Sequence, residues 1–125
     1  RDYELVVIER GGAQVTVDEE TFPLPVELPG YRHVFHLYVI ETKNPAQRDV
    51  FLDYLNKNGV DAKCHYPIAI HQQEGYPWGK QARIAGPIPN SERNAASCIS
   101  LPMFPELTAE QVEIVVRELK PAAAP

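Results

Sequence analysis

The sequence predicts an α+β fold: a small, mostly antiparallel sheet of about three core strands with helices packed on it. Three observations predict it. Residues 33–41, His-Val-Phe-His-Leu-Tyr-Val-Ile-Glu, form the clearest strand. A helix with marked ends follows over 45–58, and a strand over 60–65 completes a strand–helix–strand unit. A second amphipathic helix spans 108–119, after a short helix at 91–97 and a short strand at 98–101.

Each element has its own justification. Residues 3–8 and 14–17 read as short strands and flank Gly11-Gly12, which suits a hairpin. Pro23, Pro25 and Pro29-Gly30 then make an extended linker. The strand at 33–41 is apolar on both faces, with His33, Phe35, Leu37 and Val39 on one and Val34, His36, Tyr38 and Ile40 on the other. That pattern predicts a central strand covered on both sides. In the next helix Asn44 is the N-cap and Pro45 suits the first turn. Val50, Phe51, Tyr54 and Leu55 share its apolar face, and Gly59 sits where a left-handed C-terminal cap belongs.

Residues 66–90 carry Pro, Gly and aromatics without a period, and so read as a long functional loop. Pro102 stops the strand at 98–101. In the last helix Thr108 and Gln111 have capping-box spacing, and Leu107 with Val112 has staple spacing. Val112, Val115, Val116 and Leu119 form its predicted buried stripe, and Pro121 ends it. The resulting division is a lead-in segment over 1–30, one folded domain over 31–120 and a frayed tail over 121–125.

Composition narrows the function. A chain of 125 residues, 44% hydrophobic and 23% charged, suits one soluble domain able to bury a core of its own. The net charge is −5 and the basic residues do not cluster, which argues against nucleic acid as a partner. No apolar run approaches the roughly 20 residues that span a bilayer, so no membrane partner is expected. Cys64 and Cys98 are too few for a disulfide framework and read as two reduced thiols in a cytoplasmic protein. The chain opens on Arg1 rather than Met, so the expectation is of a fragment.

The most chemical segment is Cys64-His65-Tyr66-Pro67-Ile68-Ala69-Ile70-His71. It leaves a predicted strand and enters the long loop, with Pro67 holding Tyr66 extended. His65 and Tyr66 should then project to opposite sides of a strand end. An imidazole and a phenol both donate and accept hydrogen bonds, which suits a hydroxylated ligand such as a sugar. The same residues equally suit packing, with Tyr66 in the core and the histidines as satisfied structural groups. No metal site is expected: Cys64 and His65 are adjacent, His33 and His36 fall on opposite strand faces, and no CxxC spacing occurs. No local signature makes either cysteine a nucleophile, and Cys98 in its apolar strand reads as packing. Glu92 is the carboxylate nearest the loop, and it equally suits the first turn of its helix. No glycine-rich loop enters a helix as a phosphate cradle.

Three ordered blocks give these residues a context: residues 33–40, the His65–His71 segment, and Ser100-Leu101-Pro102-Met103-Phe104-Pro105-Glu106-Leu107-Thr108. In order and spacing, from about Tyr31 to Leu119, they resemble the DegT/DnrJ/EryC1/StrS aminotransferases, and Glu92 ahead of Ala95 and Ala96 fits the same pattern. The resemblance implies the C-terminal small domain of an enzyme with the aspartate-aminotransferase fold (fold type I). Such an enzyme uses pyridoxal 5'-phosphate to move an amino group from glutamate or glutamine to a keto sugar, usually nucleotide-linked. It implies a homodimer at full length, and a cofactor held by a large domain upstream of this segment. Lys43, Lys57, Lys63, Lys80 and Lys120 do not match the Schiff-base lysine, so no residue here is assigned as catalytic. His65, Tyr66 and His71 carry over as substrate-binding residues, while His36 reads as structural. Ala69 departs from the family's usual proline, and residues 1–30 lack the usual long lead-in helix. Two alternatives stay open: a sugar dehydratase of the same fold, and a non-catalytic sugar-binding or interaction domain.

Overall fold

The structure, a computed structural model, describes residues 15–17, 20–22, 25, 28–75, 77 and 79–119. The strand expected over 3–8 and the tail at 121–125 lie outside them. Helices and antiparallel strands alternate as expected of an α+β chain, but the sheet is smaller than expected.

Strands β1 (Val15–Val17) and β2 (Glu20–Phe22) form an antiparallel hairpin, with Val15 opposite Phe22. The strand expected at 14–17 is therefore present, and among the described residues its partner is Glu20–Phe22. The main pair is β3 (Tyr38–Glu41) and β4 (Cys98–Leu101), antiparallel, with Tyr38 opposite Leu101 and Ile40 opposite Ile99. Thr42 extends the ladder by donating its backbone N–H to Ser97 O at 3.0 Å.

Two expectations are corrected here. The strand foreseen at 33–41 begins only at Tyr38. Before it, His36 and Leu37 form a bend instead of extending. Phe35 also takes φ 46°, a left-handed value that breaks an extended run. The strand foreseen at 60–65 shrinks to one bridge, in which Lys63 and Ser100 exchange backbone hydrogen bonds of 3.0 and 2.7 Å. The central position thus falls to β4, which has β3 on one side and Lys63 on the other. The ladder is a two-stranded sheet plus this bridge.

The first helix opens with a single 3-10 turn, Pro45–Gln47, and continues as α1 (Arg48–Lys57). Asn44 caps it as foreseen, its side chain accepting from the Ala46 N–H at 3.0 Å. Gly59 closes it at φ 83°, where a side chain would be strained. On its apolar face Phe51 and Leu55 are buried and Tyr54 is half-buried. Val50 is 70% exposed and is not part of that face's core. Helices α2 (Pro89–Ser97) and α3 (Ala109–Leu119) complete the layer. The capping box of α3 is present: Thr108 N–H donates to Gln111 Oε1 at 2.9 Å, and Gln111 N–H donates to Thr108 Oγ1 at 3.3 Å. Leu119 is buried and Val115 and Val116 are half-buried, whereas Val112 is 44% exposed and falls outside the foreseen stripe.

Ile40, Phe51, Leu55, Val60, Ala62, Ile99 and Leu119 form the core, joining β3, β4, α1 and α3. Ile40, Leu55 and Ile99 are fully buried, each contributing about 1.5–3 kcal/mol by removal from water. Two side chains fasten the layer. Tyr54 OH donates to Glu118 Oε2 at 3.1 Å, linking α1 to α3. Asn56 donates to Leu52 O at 2.8 Å and Ala62 O at 3.0 Å, holding the segment that leaves α1. This matters for function, because that segment leads through Lys63 into the His65–His71 motif.

Candidate functional site

The bridge at Lys63 fixes where the motif begins. Past it the chain bends at His65, so the strict alternation of a strand no longer applies. His65 and Tyr66 therefore do not project to opposite sides. Their rings lie side by side, edge to face, with centroids 5.7 Å apart. His65 Nδ1 is 2.9 Å from Ser100 Oγ, in a hydrogen bond whose direction follows the imidazole tautomer. Ser100 is itself buried in β4, so the imidazole is tied to the central strand.

Tyr66 is 73% exposed, which removes the packing reading for its side chain. His65 supports the turn on one side, and the phenol is left towards solvent. Ile68 and Ile70 next to it are also exposed, while Ala69 is buried. The motif therefore anchors itself through His65 and Ala69 and presents Tyr66 and the two isoleucines outward.

His71 lies elsewhere in the site. It sits in a single 3-10 turn, Ile70–Gln72, and its Nε2 is 2.8 Å from Glu92 Oε1. A carboxylate only accepts, so Nε2 carries the proton. Glu92 is in the first turn of α2, so it serves both as a favourable charge at that helix end and as the anchor for His71. His71 lines a cavity of about 310 Å3, together with Arg83, Ile84, Ile88 and Ser91. Neither His65 nor Tyr66 lines it, so the structure divides the three foreseen site residues into a turn and a cavity. Arg83 and Ser91 carry no sequence signal of their own; only the folding of the loop against α2 brings them to the cavity.

His36 and His33 are both exposed, outside any strand, so the structural role foreseen for His36 in a sheet does not hold. His33 instead packs on Phe35, with centroids 4.2 Å apart, and its Nδ1 accepts the Phe35 N–H at 2.8 Å. Among the described residues no group of three or more His, Cys, Asp or Glu could hold a metal ion, and no helix is long and apolar enough to cross a membrane. Lys43, Lys57, Lys63 and Lys80 are all exposed and none lines the cavity, so the described residues do not fit a Schiff-base site for pyridoxal phosphate.

This fold is similar to parts of solved structures. The S. venezuelae protein DesV, crystallised with a ketimine intermediate, is similar at TM-score 0.70 and 30% identity over 83% of this chain and 27% of that one. A DegT DnrJ EryC1 StrS aminotransferase from Brucella abortus is similar at TM-score 0.68 and 26% identity, over 78% of this chain and 25% of that one.

The chain belongs to the DegT/DnrJ/EryC1/StrS aminotransferase family, whose sequence profile matches residues 10–120. Among curated relatives it is 35% identical over 95 residues to a pleiotropic regulatory protein of Geobacillus stearothermophilus, covering 76% of this chain and 24% of the relative. It is 34% identical over 93 residues to dTDP-3-amino-3,6-dideoxy-alpha-D-galactopyranose transaminase of Aneurinibacillus thermoaerophilus, covering 74% and 24%. The chain thus spans about a quarter of the length of the curated relatives it matches.

Proposed function

We propose that this chain is the C-terminal small domain of a pyridoxal-phosphate-dependent transaminase of fold type I. Its substrate would be a nucleotide-linked keto sugar, with glutamate or glutamine as amino donor. Family membership and the names of the relatives support this reading, since two curated relatives are transaminases of dTDP-linked amino sugars. The cofactor, an electron sink when bound, would be held by a part of the enzyme other than the described residues, which offer no Schiff-base lysine. No bond-making step is therefore assigned to them.

Their role would be to bind and orient the sugar. The observation that carries this is Tyr66: an exposed phenol on a turn fastened from behind by the bond between His65 and Ser100. A hydroxyl group held that way is pre-positioned for a ligand hydroxyl, with little further ordering needed on binding. His71, fixed by Glu92 at the cavity, would supply a second polar contact. Full-length protein would act as a homodimer, as the family resemblance implies, and in the cytoplasm, as its two reduced cysteines suggest.

The experiment is Tyr66→Phe in the enzyme loaded with its cofactor. The expected result is unchanged melting, an unchanged cofactor spectrum and a KM for the sugar raised about five- to a hundredfold, the worth of roughly 1–3 kcal/mol of hydrogen bonding. Unchanged sugar kinetics in both Tyr66→Phe and His65→Ala would refute the assignment.

A further inference from the structure

The two cysteines, 34 positions apart in sequence, meet in the fold: Cys64 Sγ and Cys98 Sγ are 3.6 Å apart. That is sulfur–sulfur contact, short of a bond, and both thiols are free. Their surroundings differ. Cys98 opens β4 and is 2% exposed, whereas Cys64 is half-buried on the segment between Lys63 and His65. Arg48, at the start of α1, donates from Nη1 to Cys64 Sγ at 2.6 Å. Its side chain is only 11% exposed, and its Nε lies 2.7 Å from Asp49 Oδ1 but is not aimed to donate a hydrogen bond to it. A largely buried cation is thus directed at one sulfur of the pair, supplying the counter-charge that an anionic sulfur needs.

From this arrangement we infer that Cys64 and Cys98 are a reversible redox pair, which a peroxide-class oxidant converts to a disulfide that pins the His65–Tyr66 turn to β4. Cys64, the more accessible sulfur and the one faced by Arg48, reacts first. Its sulfur attacks one peroxide oxygen, the O–O bond breaks, and hydroxide leaves with the Cys64 proton as water. Cys64 is then a sulfenic acid. Cys98 attacks that sulfur, the S–O bond breaks, and the second hydroxide leaves as water with the Cys98 proton. Each sulfur gives up one electron and the peroxide takes both. Thiol exchange with an excess dithiol reverses the bond.

The geometry favours this over further oxidation. The resolving sulfur already touches the attacked one, so condensation needs only a side-chain adjustment at an effective concentration no second molecule matches. The Lys63–Ser100 bridge and the His65–Ser100 bond hold the two segments in that position before any reaction. The bond itself does not depend on the substrate reading above. Only its consequence for sugar binding does, since the turn it fastens carries Tyr66.

The test uses the reduced, purified protein with graded hydrogen peroxide, quenching with N-ethylmaleimide, and peptide mapping without reductant. The expected result is that both thiols become unreactive together and one cross-linked pair of peptides, containing Cys64 and Cys98, appears and is released by dithiothreitol. In Cys98→Ser the reaction should stop at a Cys64 sulfenic acid that dimedone traps, and in Cys64→Ser the Cys98 thiol should remain unmodified at the same dose. If either variant fails to fold, the wild-type map decides alone. Sulfinic or sulfonic acid at Cys64 without a cross-link would overturn the inference. So would disulfides between chains, or two intact thiols at a dose that consumes free cysteine. Sugar kinetics compared before and after oxidation test the consequence separately: a cross-link with unchanged kinetics leaves the redox pair standing and removes only its link to the substrate.

Discussion

His65 Nδ1 and Ser100 Oγ lie 2.9 Å apart, joining the exposed His65–Tyr66 turn to the most central strand of the fold. Ser100 occupies that position for two reasons at once. Its backbone exchanges hydrogen bonds with Lys63, and its hydroxyl reaches the imidazole two residues further on. Replacing Ser100 with Ala should leave the bridge in place and remove the anchor. The expected cost is about 1–3 kcal/mol of stability, because a part-buried imidazole nitrogen loses its partner. Under the proposed function the KM for the sugar should rise while the cofactor spectrum stays the same. Denaturant unfolding and steady-state kinetics of one variant check both.

The core is tested at the ladder itself. Ile40 and Ile99 face each other across β3 and β4, both fully buried, and each change to Ala should cost about 2–5 kcal/mol. Leu37 is half-buried and precedes the strand, so Leu37→Ala should cost less than about 2 kcal/mol. Urea midpoints of the three variants rank them. A Leu37 effect equal to that of Ile40 would contradict the strand start at Tyr38.

Helix α3 depends on its cap. Thr108→Ala removes the Oγ1 acceptor of the Gln111 N–H and should destabilise by about 0.5–2 kcal/mol. Thr108→Asn, which keeps an acceptor, should recover most of it. Thermal melts followed by circular dichroism distinguish the two.

Stability should fall in alkali within a defined window. Burial first, and then the neighbouring Cys64 sulfur, push the Cys98 thiol up from 9.0 to about 11. The folded chain therefore keeps this proton after the unfolded chain has lost it. The contribution is fully present below pH 9 and is lost as pH rises through about 11. Burial also raises Tyr38, and desolvation with the Glu118 carboxylate raises Tyr54, so both add loss of the same sign above their ordinary 10.0. Cys98→Ala should flatten the part of the stability–pH curve that belongs to the thiol and leave the tyrosine part. Urea titrations across that range, parent against variant, give the difference.

Much of the architecture was legible in the sequence because it rests on local chemistry. Asn44, Pro45 and Gly59 mark the ends of the first helix, and Thr108 with Gln111 marks the start of the last. These are hydrogen bonds and dihedral preferences within a few residues, which a sequence states directly. The apolar pattern also identified Ile40, Phe51, Leu55 and Leu119 as inward-facing. It misjudged Val50 and Val112, since periodicity gives a direction and not what is packed there. The order of the three motif blocks identified the family, because spacing along a chain needs no coordinates.

What only the tertiary structure decided depends on which strands find partners. Residues 33–37 are as apolar as a strand, but the ladder with β4 begins only at Tyr38, and residues 60–65 pair with β4 only at Lys63. Pairing is a contact between segments distant in the chain, so alternation alone cannot set its length. The same holds at the site. Nothing near His65 in sequence points to Ser100, nothing near His71 points to Glu92, and Cys64 gives no sign of Cys98. The sequence by itself determined which residues could do chemistry and to which family they belong. The fold determined which of them meet, because a hydrogen bond or a sulfur–sulfur contact acts over about 3–4 Å of space, whatever the distance along the chain.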